Sequence, residues 1–357
     1  MKPLHLRRAR LMAVLFTLGL AATGCGIGAT AAEVDPPGPE YDHCRTVHKV
    51  TYQVYDGNII NMQAIVADKQ GFFARQCLLA EPSRFNNTPS SISGTVSGDV
   101  NFINSGTDNI PPFRKRGIDV KFIANNLTRP YYSLVVAHDK VGANLKETLR
   151  NLHVVGVTTI GGSNEFHGRE FISGLGGDPK AVTWIGMGAP ASMLAGLENG
   201  TVDAVVYFGT TQDVAVASGY GVMVSDPRRP AGPGNPVPPI FKGTGKASMM
   251  WAAQESFINK NPEATRQFVA ALGAASDWIA SKANRDELYR SMRGEITIPD
   301  KVPNAEKVFR DSIDTYADMI DADIDMDALQ KYIEFTKKSR SLDLTENADD
   351  MVWKETP

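Results

Sequence analysis

The chain has 357 residues, with 37 Lys and Arg against 40 Asp and Glu; a net charge of −3 leaves no basic field to hold nucleic acid. With an amino-terminal leader set aside, roughly 330 residues remain, enough for two lobes with sizeable cores. Beyond the leader no run approaches the roughly 18 apolar residues that a spanning helix needs, so a multi-span membrane protein is excluded.

The leader has its own logic. Lys2, Arg7, Arg8 and Arg10 form a basic start, and the 12 residues 11–22 are apolar but too short to cross a bilayer. Ala22-Thr23-Gly24-Cys25 resembles the bacterial lipobox, whose cysteine is lipid-modified after cleavage; Ala22 stands where leucine is usual. Residues 1–24 are thus expected to be a lipoprotein signal peptide, with Cys25 lipidated on the extracytoplasmic side of the cell membrane. An ordinary secretory signal is the alternative. Residues 25–47, rich in Gly, Ala and Pro up to residue 39, read as a flexible tether. Cys44 and Cys77 remain, and an exported protein pairs such cysteines. Closing that loop stabilises a fold by roughly 3–4 kcal/mol. Two distant cysteines supply no ligand cluster, so no metal is expected.

Residues 49–55 alternate as a strand does, and Asp56-Gly57-Asn58 is the loop at its end. A helix over 61–69 stops at Gly71. Residues 77–81 and 100–104 read as strands, whereas 86–98 is Ser-, Gly- and Thr-rich and has no assignable pattern. Ser105-Gly106-Thr107-Asp108 is a small-residue loop opening a helix that ends near Gly117, and 120–124 is the next strand. Pro130 biases Arg129 away from helix, which suits a crossover before the extended run 133–137.

The middle of the chain repeats one unit. Strands over 154–157, 182–185 and 203–208 are each followed by a helix, over 165–175, 190–197 and 211–218. Strand–helix pairs of this length imply a parallel sheet flanked by helices, with ligands gathering beyond the carboxyl ends of the strands. That edge carries Thr158, Thr159, Gly162, Ser163, Asn164, Met187, Tyr207, Phe208 and Thr210: hydroxyls, amides and rings without a nucleophile–base pair. A return crossover is expected between 221 and 251, since 226–239 holds six prolines. Helices then follow over 262–281, 284–292, 303–318 and 325–337.

Three motifs invite chemistry and are better read otherwise. Gly243-Thr244-Gly245-Lys246 lacks the upstream glycine of a phosphate loop and has Ala247 in place of Ser or Thr, so a surface turn is expected. Asp323, Asp325, Asp327 and Glu334 have calcium-loop spacing, but Ala328 replaces the turn glycine, leaving an acidic helix start. His167, with Glu165 and Arg169, reads as a solvated helix face.

The segments 64–73 (ending Gly71-Phe72-Phe73), 141–157, Leu175-Gly176-Gly177-Asp178-Pro179, 193–204 and Asn261-Pro262-Glu263 together resemble the solute-binding lipoproteins of ABC importers. The likeness is to the nitrate/sulfonate/taurine-type group, which includes thiamine-precursor binders, and spans about residues 48–340. The chain departs from it at Gln76-Cys77 and in the Pro-rich 228–239. The resemblance implies an α/β, two-lobed periplasmic-binding-protein-like fold of type II, each lobe a mainly parallel sheet flanked by helices and hinged by two crossovers. Lobe I would comprise 48–128 plus about 241–340, and lobe II 129–240. It implies a monomer without cofactors that hands a small solute to a membrane permease and its cytoplasmic ATPase. Helix amino termini favour an anion, so Asn58, Ser105, Gly106, Thr107, Gly162, Ser163 and Asn164 are the expected polar contacts. Tyr131, Tyr207, Phe208 and Trp251 would supply apolar walls; the expected solute is an anionic sulfonate, carboxylate or nitrate, with an aromatic or heterocyclic one as the alternative. The rival readings are an exported enzyme, which needs Asp56, His167 and Asp213 to converge, and a ligand-sensing lipoprotein.

Overall fold

A computed structural model of the chain describes residues 31–85, 88–296 and 298–354; the leader and Cys25 lie outside the described residues. Strand β1 (Ala32–Val34) pairs antiparallel with β2 (Val47–Tyr55), which pairs in parallel with β3 (Leu78–Phe85). Strands β4 (Ile103–Gly106) and β5 (Val120–Leu127) flank a strand from far along the chain, Met249–Gln254, and both run antiparallel to it. The two groups join through a parallel bridge between Tyr52 and Phe102, where the Gln53 N–H donates to the Phe102 carbonyl at 2.8 Å.

The second sheet uses β6 (Ser133–Ala137), β7 (Val154–Val157), β8 (Thr183–Gly186), β9 (Ala204–Tyr207) and β10 (Gly221–Ser225). Its order is β10-β6-β9-β7-β8, with β7 parallel to β8 and β9. Strands β6 and β11 (Met249–Gln254) run against their neighbours because each carries the chain in from the other half. The strand–helix repeats themselves are parallel, as their length requires.

The return crossover is shorter than expected. Residues 221–225 form an edge strand and 249–254 a central one, so the crossing is confined to 226–248. The Pro-rich part of it has no regular structure over 226–238; residues 226–228 are buried and 229–234 exposed. Arg228 is fully buried, and its guanidinium donates to both carboxylate oxygens of Asp213 (2.8 and 2.9 Å) and both of Asp226 (2.7 and 2.9 Å). Burial alone would lower the Arg228 pKa, yet these two carboxylates raise it well above its ordinary value. Ser133 completes Asp226, and Ser312 of the Ala305–Ala317 helix completes Asp213.

Residues 31–47 are folded onto the first sheet, not free as a tether. The Ala31 N–H donates to Asn261, β1 extends the sheet edge, Tyr41 is buried, and Cys44 is disulfide-bonded to Cys77. The Cα atoms of the two cysteines are 5.6 Å apart. The Ser-rich segment without an assignable pattern contains a helix, Thr88–Ser97, held by Ile92 in a small core with Val100 and Ile103. Gly243 to Lys246 is the end of a short helix and the following turn, with Thr244 and Gly245 buried rather than at the surface. Asp325 caps the Met326–Ser339 helix by accepting from the Ala328 N–H at 2.9 Å, and it pairs with Lys246. Among the described residues no helix is long and apolar enough to cross a membrane.

Two stability predictions arise here. Arg228→Met leaves the partly buried Asp213 without an ion pair and the buried Asp226 with only the exposed Arg229, and should cost about 3–5 kcal/mol, read as a lower urea midpoint. Replacing Cys44 and Cys77 together by serine should cost roughly 3–4 kcal/mol and leave the far-ultraviolet spectrum unchanged, read by thermal melting against the oxidised parent.

Candidate functional site

A cleft of about 1380 Å³ lies where strands of both sheets end. One wall is the loop after β2, with Tyr55 and Asn58, together with Gly106 at the end of β4. The facing wall is the loop after β7, leading into the Ser163–Gly174 helix, and Tyr207-Phe208 at the end of β9. This is the edge at which open α/β sheets collect ligands.

The floor is aromatic. The rings of Tyr131 and Tyr132, from the first crossover, lie 4.5 Å apart at 33°. Phe208 meets both edge-on, at 5.7 and 5.3 Å, and Tyr207 stacks on Phe208 at 4.7 Å. Burial pushes the hydroxyls of Tyr131, Tyr132 and Tyr207 above their ordinary pKa, so the floor stays uncharged across the physiological range.

Beneath the floor a buried carboxylate joins the two walls. Asp108, fully buried, accepts from the Ser163 hydroxyl at 2.6 Å and from the Arg340 guanidinium at 2.8 Å. Gly106 makes this approach possible: a Cβ there would lie 2.7 Å from the Tyr131 hydroxyl and 2.8 Å from Asp108 Oδ1. One turn into the helix, His167 Nδ1 lies 2.7 Å from the Ser163 carbonyl, which can only accept, so Nδ1 carries the proton. Its Nε2 then accepts from the Tyr332 hydroxyl at 2.7 Å. His167 is enclosed by Tyr132, Phe166 and Phe241, not on the solvated face expected for it.

Asn58, Gly106, Tyr131, Gly162, Ser163, Asn164, Tyr207 and Phe208 all line the cleft. Asn58 also caps its own short helix, and Gly209, at φ +82°, accommodates it: a Cβ there would sit 2.9 Å from Asn58 Oδ1. Ser105, Thr107 and Trp251 are outside the lining. Thr107 donates to the Ala247 carbonyl at 2.5 Å, and Ser105 accepts from Asn109. Trp251 lies on the central strand β11, so both of its faces are covered. Its indole N–H donates to Gln63 at 2.6 Å, and Phe268 meets its ring at 5.3 Å. Trp251 stands opposite Asn104 and Ser105 opposite Met250, so alternation sends these two side chains to opposite faces of the sheet, each covered by packing, while Thr107 lies in the turn after β4. Tyr132 and Arg340 also line the cleft, with Asp108 buried behind it; none of the three is among the expected contacts.

The convergence that an enzyme would need is not present. Asp56 pairs with Arg84 at the surface, Asp213 with Arg228 at the crossover, and His167 with Tyr332 beneath the floor. Ser163, His167 and Asp108 are close, but the serine proton goes to the carboxylate and the imidazole is committed to the serine's own carbonyl. The imidazole therefore does not act on the hydroxyl, and the carboxylate that accepts from it is held by Arg340. Among the described residues, the grouping that could hold a metal is His43 with Cys44 and Cys77, and both sulfurs are in the disulfide.

Residues 57–292 match the NMT1-like family. No curated protein matches the chain in sequence. Among solved structures, the chain is similar to the ligand-binding component of an ABC-type import system from Staphylococcus aureus with zinc bound (14 % identity, TM-score 0.65, covering 85 % of this chain and 96 % of that one). It is also similar to the alkanesulfonate-binding protein SsuA from Xanthomonas axonopodis pv. citri bound to MOPS (12 %, 0.65, 85 % and 98 %). A third is the periplasmic nitrate-binding protein NrtA from Synechocystis PCC 6803 (17 %, 0.59, 74 % and 70 %). At these identities the likeness establishes the periplasmic-binding-protein fold.

The buried imidazole has a measurable consequence. Burial, reinforced by the Arg340 charge and opposed by Asp108 and the Ser163 carbonyl, lowers the His167 pKa below 6.5. Between that lowered value and about 6.5 the unfolded chain binds a proton that the folded one does not. Stability should therefore fall as pH drops from about 6.5, and level off once the folded imidazole also titrates. His167→Gln should flatten this slope, measured as urea midpoints from pH 7 to 5. The lowered carboxyls of Asp203 and Asp226 act in a separate window, their contribution being lost only as pH falls below about 4.

Proposed function

We propose that this chain, which belongs to the NMT1-like family by its match over residues 57–292, is the extracytoplasmic solute-binding component of an ABC importer. The observation that carries this reading is a cleft at the strand ends of two sheets, floored by rings and edged by hydroxyls and amides from both, without an activated nucleophile among the described residues. Such a site holds a solute and leaves its bonds intact.

In this reading, residues 48–128 with about 241–340 form one lobe, and 129–240 the other. Asn58 and Gly106 act from the first lobe, and Gly162, Ser163, Asn164, Tyr207 and Phe208 from the second, with Tyr131 between them. A solute touching both lobes favours the closed state by its differential affinity for that state. A permease then reads the closed state, and a cytoplasmic ATPase drives release. Residues 1–24 direct export and Cys25 anchors the monomer to the outer face of the cell membrane by a lipid. One of the similar structures is a ligand-binding component of an ABC-type import system, and two others are binders of nitrate and alkanesulfonate, which supports this reading.

The test is a calorimetric screen of the purified protein against nitrate, alkanesulfonates, carboxylates and aromatic heterocycles, with small-angle scattering on each hit. A binding solute should reduce the radius of gyration and be recovered unchanged. Phe208→Ala should weaken its binding at least about tenfold, in line with the loss of a buried ring contact worth more than about 1.4 kcal/mol. Recovery of a converted product would refute the transport reading.

A further inference from the structure

We infer that the cleft selects a bulky, uncharged aromatic solute, because the position an oxyanion would take at the start of the Ser163–Gly174 helix is filled by the chain's own Asp108. This rests on the solute-binding reading above and narrows it.

A helix amino terminus with a hydroxyl donor suits an anion. Here that donor is already used: the Ser163 hydroxyl gives its proton to Asp108 at 2.6 Å, and Arg340, the nearest cation, gives its N–H to the same carboxylate at 2.8 Å. A second acid, Glu165, lies in the first turn of the helix, where it accepts from the Gly161 N–H at 2.6 Å and pairs with Arg169. The fixed charges at this end therefore cancel within the protein. An incoming anion would find the Ser163 hydroxyl and the Arg340 charge already committed to the buried Asp108, and would lose its hydration with no unmatched cation in replacement.

The remaining charged lining residues do not change this. Asp56 is paired with Arg84, and Arg116 is exposed at the rim beside Phe113. Most of the cleft surface is apolar, from Ile60, Phe85, Ile92 and Leu194 as well as the aromatic floor. Val96 and Ile160, on opposite sides, are 50 % and 55 % exposed and present apolar side chains that a bulky ligand would cover. The volume of about 1380 Å³ exceeds the range of about 300–1,000 Å³ typical for drug-sized ligands. A four-atom oxyanion would leave nearly all of it filled by water against apolar walls. A multi-ring solute would cover Val96 and Ile160 and stack on the floor at Tyr131 and Phe208.

The experiment uses N-phenyl-1-naphthylamine, a neutral aromatic probe, with nitrate and methanesulfonate as the oxyanions, on the purified full chain. The probe should bind at one saturable site by fluorescence, and Val96→Asp and Ile160→Asp should each weaken it at least tenfold. Both substitutions alter exposed side chains, so they leave folding intact. Nitrate and methanesulfonate should not bind below millimolar concentration. Asp108→Asn, which frees Arg340 and the helix start, should bind methanesulfonate at least tenfold more tightly than the parent. Submillimolar nitrate or methanesulfonate binding by the parent overturns the inference and leaves the importer reading standing. If the probe and both oxyanions fail to bind, and no solute in the wider screen contracts the protein in scattering, both readings fall.

Discussion

The Asp108 carboxylate is the constraint around which the cleft is built. It comes from the end of β4 in the first sheet, yet its partners are Ser163 from the second half and Arg340 from beyond the last long helix. A fully buried charge is costly unless every lone pair finds a donor, and removing either partner exposes that cost. Three remote segments must therefore arrive together. Once they do, the Tyr131 and Tyr132 rings are wedged above them and the His167–Tyr332 pair below. The ion pair is weak evidence for stability in itself. Its effect is to admit one arrangement of the cleft floor.

A second buried charge does the same work where the chain returns to the first sheet. The Pro-rich crossover cannot hold itself in place by backbone pairing, since proline removes the donors that a ladder needs. Arg228 substitutes for that ladder by tying Asp226 in its own segment to Asp213 on the helix after β9. Through Ser312 and through the Tyr316 hydroxyl, which accepts from the Gly209 N–H at 2.9 Å, the Ala305–Ala317 helix is drawn into the same cluster. The joint is thus stiff at Arg228 and Tyr316, while the exposed rims at Val96 and Ile160 have no such ties.

Much of this fold was legible because its strand–helix units declare themselves locally. Val154–Val157 is a β-branched run and Ser133–Ala137 an extended run after Pro130, and both form strands with the expected bounds. Strand β11 was not, since Met249-Met250-Trp251-Ala252-Ala253 has no β-branched residue and adjoins helices. Its place at the centre of the first sheet is set by tertiary pairing. The same context put Trp251 in the core, where an aromatic next to a crossover had suggested a ligand wall. Residues 31–47 had the composition of a tether, and composition cannot register an edge on β2 that accepts a strand, although the expected Cys44–Cys77 disulfide already ties this segment to the first sheet. The site was legible as far as its loops. Ser163 and Gly106 belong to turn motifs, and the loop sequence itself contains Asp108. What that aspartate does depends on Arg340, 232 residues distant, for which no local pattern exists.

That long-range pairing separates the general site from the particular one. Strand ends and helix starts recur wherever an α/β sheet is open, and they predict where a solute sits. They do not predict its charge, because a helix dipole can be answered by the ligand or by the protein. In this chain the answer is internal at both acidic positions: Asp108 is matched by Arg340 and Glu165 by Arg169. The electrostatic part of the helix start is satisfied before any solute arrives. Shape and apolar area then remain as the main terms by which this cleft can discriminate.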